Sequence, residues 1–310
     1  MIIFNGSTGG LGRYLRGLLC ARGIPHYAVQ SRLENPEGLR DELERLMSDP
    51  HVALNPILFI PMAALVSVPL CESDPNRAYQ TNVTDTLQTL KTFIQWADAI
   101  PGAKVRVLYV STGHLYAPKK KGERTNEMDP IDPRSVYAKT KWEAEKQLRA
   151  LVVSSGSFDY RIARVFGLLS PEQPSNYLLP GLIRRVRERN VQSIPGLEYV
   201  RDYLDARDVC RLITDYGTVP WPQEEDPVVN ICSGEPTVIR EILDEIIRLT
   251  CSEPEELIKS ATPGPGRTDD IPWLVGDPTK VQKLIRSSLK SIPLRQTIQD
   301  SLKHASMISA

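Results

Sequence analysis

Three side chains of this sequence could together deliver a proton to a substrate oxygen: Thr112, Tyr137 and Lys141. Tyr137 and Lys141 stand four residues apart in VYAKTK. That is one helical turn, so both project from the same helix face. A phenol has an unperturbed pKa of about 10, and a neighbouring ammonium favours the phenolate and pulls that value down. Such a pair can protonate the alkoxide that develops when a ketone accepts a hydride. Thr112 ends the run KVRVLYVST, where its hydroxyl can bond the same oxygen and position it. Taken singly, a Tyr-x-x-x-Lys pair is what many helix surfaces offer, and a strand-end threonine is also an ordinary cap. The catalytic reading needs a hydride source and a scaffold that brings the three together.

The hydride source is written at the start of the chain. Gly6-Ser7-Thr8-Gly9-Gly10-Leu11-Gly12 lies between the apolar run MIIFN and the helical pattern LGRYLRGLLCARG. In such a loop the first glycine permits the tight turn and the second lets the backbone approach a pyrophosphate. The third lets helix and strand pack closely. The helix N-terminus then attracts phosphate oxygens. An ordinary glycine-rich turn would look the same, but its place at the first strand–helix junction points to a dinucleotide. A carboxylate at the end of the second strand would hold both ribose hydroxyls and indicate NAD. Here stand Ser31 and Arg32, with no carboxylate before Glu34. A hydroxyl and a guanidinium suit a 2′-phosphate, so NADP is expected. NAD is the alternative, with Arg32 on the surface and Glu34 on the ribose.

The elements that must position these residues follow the pattern of apolar runs. MIIFN, HYAVQS, NPILFIPMAA, KVRVLYVST, DYRIARVFG and VVNICS read as strands. They alternate with helices that include 78–97 and 137–154. This predicts an α/β fold, a doubly wound parallel (Rossmann) sheet. Past Leu168 prolines are frequent and the alternation loosens. A smaller, discontinuous C-terminal substrate domain is expected over 168–202 and 234–310. The dinucleotide-binding domain would span 1–167, with the chain returning to it at about 203–233. Two or three helices are expected after Glu235.

With 310 residues, 38 basic and 38 acidic, the chain has no charge block that marks a nucleic-acid or membrane surface. Its five cysteines form no C-x-x-C pair and suggest reduced thiols, and no metal site is evident. No signal-peptide pattern opens the sequence, and no apolar run spans a bilayer, so a cytoplasmic protein is expected.

The chain resembles the extended short-chain dehydrogenase/reductases, in the branch that acts on nucleotide sugars. The resemblance rests on GSTGGLG, Ala63-Ala64 after the third strand, Asn82 in TNVTDT and VSTGHLY. It continues through Tyr137-x-x-x-Lys141, RDYLDARDV, NICSGE and GRTDDIPWLVGDPTK. It implies that Thr112, Tyr137 and Lys141 form the catalytic group and that Lys141 also holds the nicotinamide ribose. It adds Ala63, Ala64, Asn82 and Phe166 to the cofactor site. It places Arg201 and Arg267 on a substrate diphosphate and Asp270 on a nucleotide ribose, although each could equally be a surface ion pair. Asn176 resembles a substrate-loop asparagine, and His114 either touches substrate or is structural. Homodimers joined through the helices starting near Arg77 and Tyr137 are implied. Related dehydratases carry an Asp-Glu pair where this chain has Gly113 and His114, so dehydration is not expected. An NADPH-dependent reduction of the 4-keto group of a GDP- or dTDP-activated deoxysugar is the expected activity. An NAD-dependent 4-epimerase is the alternative, and a non-catalytic NADP-binding protein is a third reading.

Overall fold

Ile2, Ile3 and Phe4 are all buried, as a short branched run in the middle of a covered parallel sheet must be. They form β1 (Ile2–Phe4) in the computed structural model, which describes residues 1–50, 53–54, 56–155, 158–220, 226–266, 270–286 and 291–308. Two compact units divide the chain. The first takes Met1–Leu115, Ile131–Arg164 and Cys210–Val229; the second takes Tyr116–Pro130, Val165–Val209 and Asn230–Ala310.

In the first unit β1 leads through the glycine loop into α1 (Gly10–Ala21). The helix stops short of Gly23, whose φ of 62° continues the chain in the left-handed region. Next come β2 (His26–Ala28) and α2 (Pro36–Met47). Asn35 caps α2 by accepting from the Gly38 amide, and Pro36 follows at the first helical position. The strands β3 (Ile57–Ile60) and β4 (Val105–Thr112) flank a helical stretch, α3 (Val68–Ser73), α4 (Pro75–Tyr79) and α5 (Thr86–Asp98). Then follow α6 (Val136–Ser155) and β5 (Asp159–Val165). The sixth strand is Val228–Ile231, giving the order β2-β1-β3-β4-β5-sixth. β1 is flanked in parallel by β2 and β3, with Ile3 opposite both Tyr27 and Phe59. The chain therefore reverses direction across β1, and the ends of β1 and β3 bound a crevice of the kind that holds ligands in open α/β sheets.

The expected single helix over 78–97 has a π-helical interruption, Gln80–Asp85, between α4 and α5. β2 is shorter than HYAVQS because the amides of Gln30 and Ser31 leave the ladder for the Glu42 carboxylate. The core includes Phe59 stacked on Phe93 at 4.1 Å, with Leu43, Val107, Leu148 and Ile162.

The second unit has its own small sheet. Val200–Asp205 is flanked by Pro236–Val238 and Trp273–Leu274, and Gly167–Leu169 also pairs with it. The helix Leu178–Arg187 buries Leu179, Leu182, Ile183 and Val186, an i, i+3, i+4, i+7 stripe. That stripe packs in one cluster with Ile242, Leu243 and Ile246 of the helix Ile239–Thr250. Four helices rather than two or three follow Glu235 among the described residues, the others being Pro254–Ser260, Thr279–Ile285 and Leu294–Ile308.

Candidate active site

The glycine loop is built as a close-packed turn. Gly6 has φ 71°, and a Cβ there would come within 3.0 Å of the Ala63 amide nitrogen. At Gly12 a Cβ would run into the Gly6 carbonyl and lie 2.9 Å from the Ser7 Cα. Gly9 stands at the N-cap of α1 with no side chain capping the helix, and the first turn has no acidic residue. The leading amides and the helix dipole are thus available to an anion. Asn5, unremarked in the sequence, joins the two strand ends that frame the crevice. Its Oδ1 accepts from the amides of Met62 and Ala63 at 2.7 and 2.9 Å. The residues present therefore fit a dinucleotide pyrophosphate. Gly6 through Gly12 would hold it, with Ala63 and Ala64 on the β3 side of the crevice.

Thr112 is the last residue of β4 and is 3% exposed. Its Oγ1 accepts from the His114 amide at 3.3 Å, in a 3-10 turn that carries the chain away from the strand. His114 is half-buried there. Tyr137 sits in the first turn of α6, between two pinned amides. Val136 donates to Glu72 Oε1 at 2.7 Å and Ala138 donates to Ser135 Oγ at 3.1 Å. Ser135 thus caps the helix, and Glu72 ties it to α3. One turn on, Lys141 is 4% exposed, with its Nζ 4.1 Å from the centre of the Tyr109 ring. Burial pushes the Lys141 ammonium down to about 7, and the Glu145 carboxylate counters part of that shift. A buried ammonium one helical turn from a phenol is a pairing that could tune a proton donor.

At the adenosine end, Ser7 Oγ reaches the Val29 carbonyl at 3.4 Å, so the loop and the end of β2 lie together. Arg32 extends from this corner with its side chain 86% exposed and its nearest anion, Glu34, 3.8 Å away. The one buried carboxylate here is Glu42 of α2, which sequence reasoning missed. It accepts from the Gln30 and Ser31 amides at 2.9 and 2.6 Å and from the Tyr27 hydroxyl at 3.0 Å. Burial alone would raise its pKa, and these hydrogen bonds outweigh it and hold the group below the usual carboxylate value. Glu42 therefore serves the backbone at the end of β2 and the Tyr27 hydroxyl.

Asn82, expected at the cofactor, has a structural task of its own. Its side chain is fully buried in the π-turn. Oδ1 accepts from the Leu65 amide, and Nδ2 donates to the Leu65 carbonyl and to Thr140 Oγ1. With both protons committed, it braces the walls of the crevice.

The remaining expected residues lie in the second unit. Phe166 is buried, with its ring 6.1 Å from that of Tyr116 and its amide donating to the Ile231 carbonyl. Asn176 is exposed in the turn before the helix Leu178–Arg187. Arg201 and Asp270 are partners of each other, Nη2 to Oδ1 at 2.8 Å, and Arg201 also donates to the Val200 carbonyl. Arg201 is 8% exposed and Asp270 is half-buried, so the pair is partly shielded from solvent. Arg267 lies outside the described residues. Among the described residues no cluster of His, Cys, Asp or Glu could hold a metal ion. No described helix is long and apolar enough to cross a membrane.

A candidate proton donor beside β4 and a glycine loop two strands along the sheet are the arrangement that hydride transfer to a carbonyl would need. Fold and site together are those of a nicotinamide-dependent oxidoreductase on a Rossmann sheet. The sequence places it more narrowly. Residues 2–232 match the NAD dependent epimerase/dehydratase family, and the chain belongs to that family. It is similar to GDP-6-deoxy-D-mannose reductase of Pseudomonas aeruginosa, with 25% identity over 254 residues, 78% of each chain. It is also similar to GDP-6-deoxy-D-talose 4-dehydrogenase of Aggregatibacter actinomycetemcomitans, 24% identical across 88% of this chain and 85% of that one. Among solved structures, RMD from Pseudomonas aeruginosa complexed with NADPH superposes with TM-score 0.81 at 22% identity, covering 99% of each chain. UDP-glucose 4-epimerase from Thermotoga maritima with UDP-glucose gives 0.82 at 20% identity, covering 100% and 99%.

Proposed function

We propose that this protein reduces the 4-keto group of a nucleotide-activated deoxysugar, drawing its reducing equivalents from NADPH. The carrying observation is the buried Lys141, one turn beyond Tyr137 and over the Tyr109 ring of the strand that ends in Thr112. A reduced nicotinamide held by the glycine loop and the crevice would be the source of the hydride for the ketone carbon. Tyr137 gives its phenolic proton to the carbonyl oxygen as that oxygen gains charge. Lys141, as a cation, stabilises the phenolate left behind. Thr112 orients the same oxygen.

Two features support NADPH over NADH. Arg32 projects from the corner where the adenosine ribose would lie, and Glu42, the buried carboxylate there, is already committed. The GDP-deoxysugar enzymes among the relatives support a guanine nucleotide and a 6-deoxyhexose. Arg201, buried and paired with Asp270, is our candidate for the substrate diphosphate, with the undescribed Arg267 as a second. Asn176 and His114 are assigned to the sugar. The same reading takes the protein as a homodimer, which sedimentation tests.

A second reading, the NAD-dependent 4-epimerase, is favoured by the likeness to UDP-glucose 4-epimerases. One assay separates them. GDP-4-keto-6-deoxymannose and the dTDP analogue are offered with NADPH or NADH, the corresponding 4-hydroxy sugars are offered with NAD, and both the absorbance of the reduced nicotinamide and the sugar products are followed. Stoichiometric loss of NADPH supports the reductase. Interconversion of two 4-hydroxy sugars without net cofactor turnover would replace it with the epimerase.

A further inference from the structure

Among the described residues no carboxylate forms an ion pair with Lys141 alone. Its Nζ lies 4.1 Å above the Tyr109 ring, and Tyr109 is 1% exposed in the middle of β4. The Tyr109 hydroxyl finds no hydrogen-bond partner among the described residues, so the ring is the part of Tyr109 that meets the lysine. One turn further along α6, on the same face, Glu145 is fully buried. Arg164 of β5 holds both its oxygens, Nε to Oε1 at 3.1 Å and Nη2 to Oε2 at 2.8 Å. Arg164 in turn lies 5.9 Å from the Trp142 ring. Two buried cations therefore share one buried anion, and the second cation also has an aromatic face beneath it. An unpaired buried ammonium is costly, and a desolvated ring face attracts a cation far more than an exposed one does.

We propose that the Tyr109 ring and the Glu145 carboxylate are positioning groups that favour the ammonium form of Lys141 in the interior, with Arg164 holding Glu145 in place. This role rests on the reading of Lys141 as the electrostatic partner of Tyr137. Neither group touches the reacting atoms. Each acts through Lys141, and so on the acidity of Tyr137. Among the described residues, Glu145 from its own helix and Tyr109 from β4 act on Lys141, Tyr137 stands one turn before it, and Arg164 of β5 lies behind Glu145. Burial works against its charge, while Glu145 works for it.

The test is a direct titration of Lys141 in the full-length apoprotein. The chain is labelled with 13Cε-lysine, and the Lys141 signal is assigned by its loss in Lys141→Arg. Tyr109→Leu and Glu145→Gln should each raise the acid dissociation constant at least about threefold, the scale of one cation–π or charge contact. Tyr109→Phe keeps the ring and should leave it unchanged. If Glu145→Gln does not fold, because Arg164 then loses its buried carboxylate, Glu145→Gln with Arg164→Met replaces it, with a smaller shift in the same direction because the second cation is lost too. An unchanged titration in folded Tyr109→Leu and in the Glu145 variant, or an equal shift in Tyr109→Phe, would overturn the proposal. The pH profile of turnover should move in the same order. If Tyr137→Phe retains normal turnover while these titrations shift as stated, the catalytic reading fails and the seat beneath Lys141 stands.

Discussion

Asn82 Nδ2 donates to Thr140 Oγ1 at 3.0 Å, so a π-turn of one helix is fastened to the helix that carries Tyr137 and Lys141. The same side chain satisfies the amide and the carbonyl of Leu65, beyond β3. Asn82→Ala would orphan both backbone groups and loosen the helix. Each buried unsatisfied group costs about 1–3 kcal/mol, so a loss on the order of 3 kcal/mol is expected, read as a lowered Tm and urea midpoint. A variant as stable as the wild type would mean that Leu65 finds other partners.

Tyr137→Phe removes the proposed proton and little else. NADPH affinity should stay within a few-fold, while kcat falls by about 10²–10⁴, the usual share of general acid catalysis. Single-turnover kinetics with saturating NADPH would measure this, and near-normal chemistry in the variant would remove Tyr137 from the role.

Arg32→Ala should erase most of the preference for NADPH while NADH binding stays nearly constant. The wild-type preference is expected to be at least about tenfold, equivalent to 1.4 kcal/mol. Fluorescence titration of each reduced nucleotide gives the answer without a sugar substrate.

Gly12→Ala asks for a Cβ where the Gly6 carbonyl and the Ser7 Cα already lie, the latter 2.9 Å away. Backbone would have to yield, so the variant should lose dinucleotide binding and melt well below the wild type. Gly10→Ala meets nothing within 4 Å and serves as the tolerated control.

Lys141 makes the stability of the apoprotein depend on pH. Its value is about 7 when folded, against an ordinary 10.5. Between those limits the unfolded chain binds a proton that the folded chain lacks, so the free energy of unfolding rises with pH across the window. Below about 7 both states hold the proton and this contribution is flat. Relative to Lys141→Met, the wild type should therefore gain Tm on going from about pH 7 to about pH 9, measured by calorimetry. Parallel curves for the two proteins would count against a depressed lysine.

Much of the architecture was legible because its signals are local. The order of strands and helices followed from apolar runs and glycine breaks, and HYAVQS failed only at its end. There Glu42, some ten residues on, captures two amides that the ladder would otherwise use. The helix over 78–97 hid its π-turn for a similar reason. What inserts Asn82 into the fold is a loop and a helix distant in sequence, which no periodicity records.

The sequence by itself determined the chemistry on offer. Glycines three apart, a threonine closing a strand and a tyrosine one turn before a lysine are statements about single turns of backbone, and single turns are dictated locally. Only the tertiary structure decided what those groups experience. It set Lys141 over the Tyr109 ring, gave Glu145 to Arg164, turned Asn82 inward and paired Arg201 with Asp270. Each of these depends on which other element closes over the residue and excludes water. The strength of a charge, a phenol or an amide in a protein is set by that exclusion and not by the identity of its neighbours in the chain.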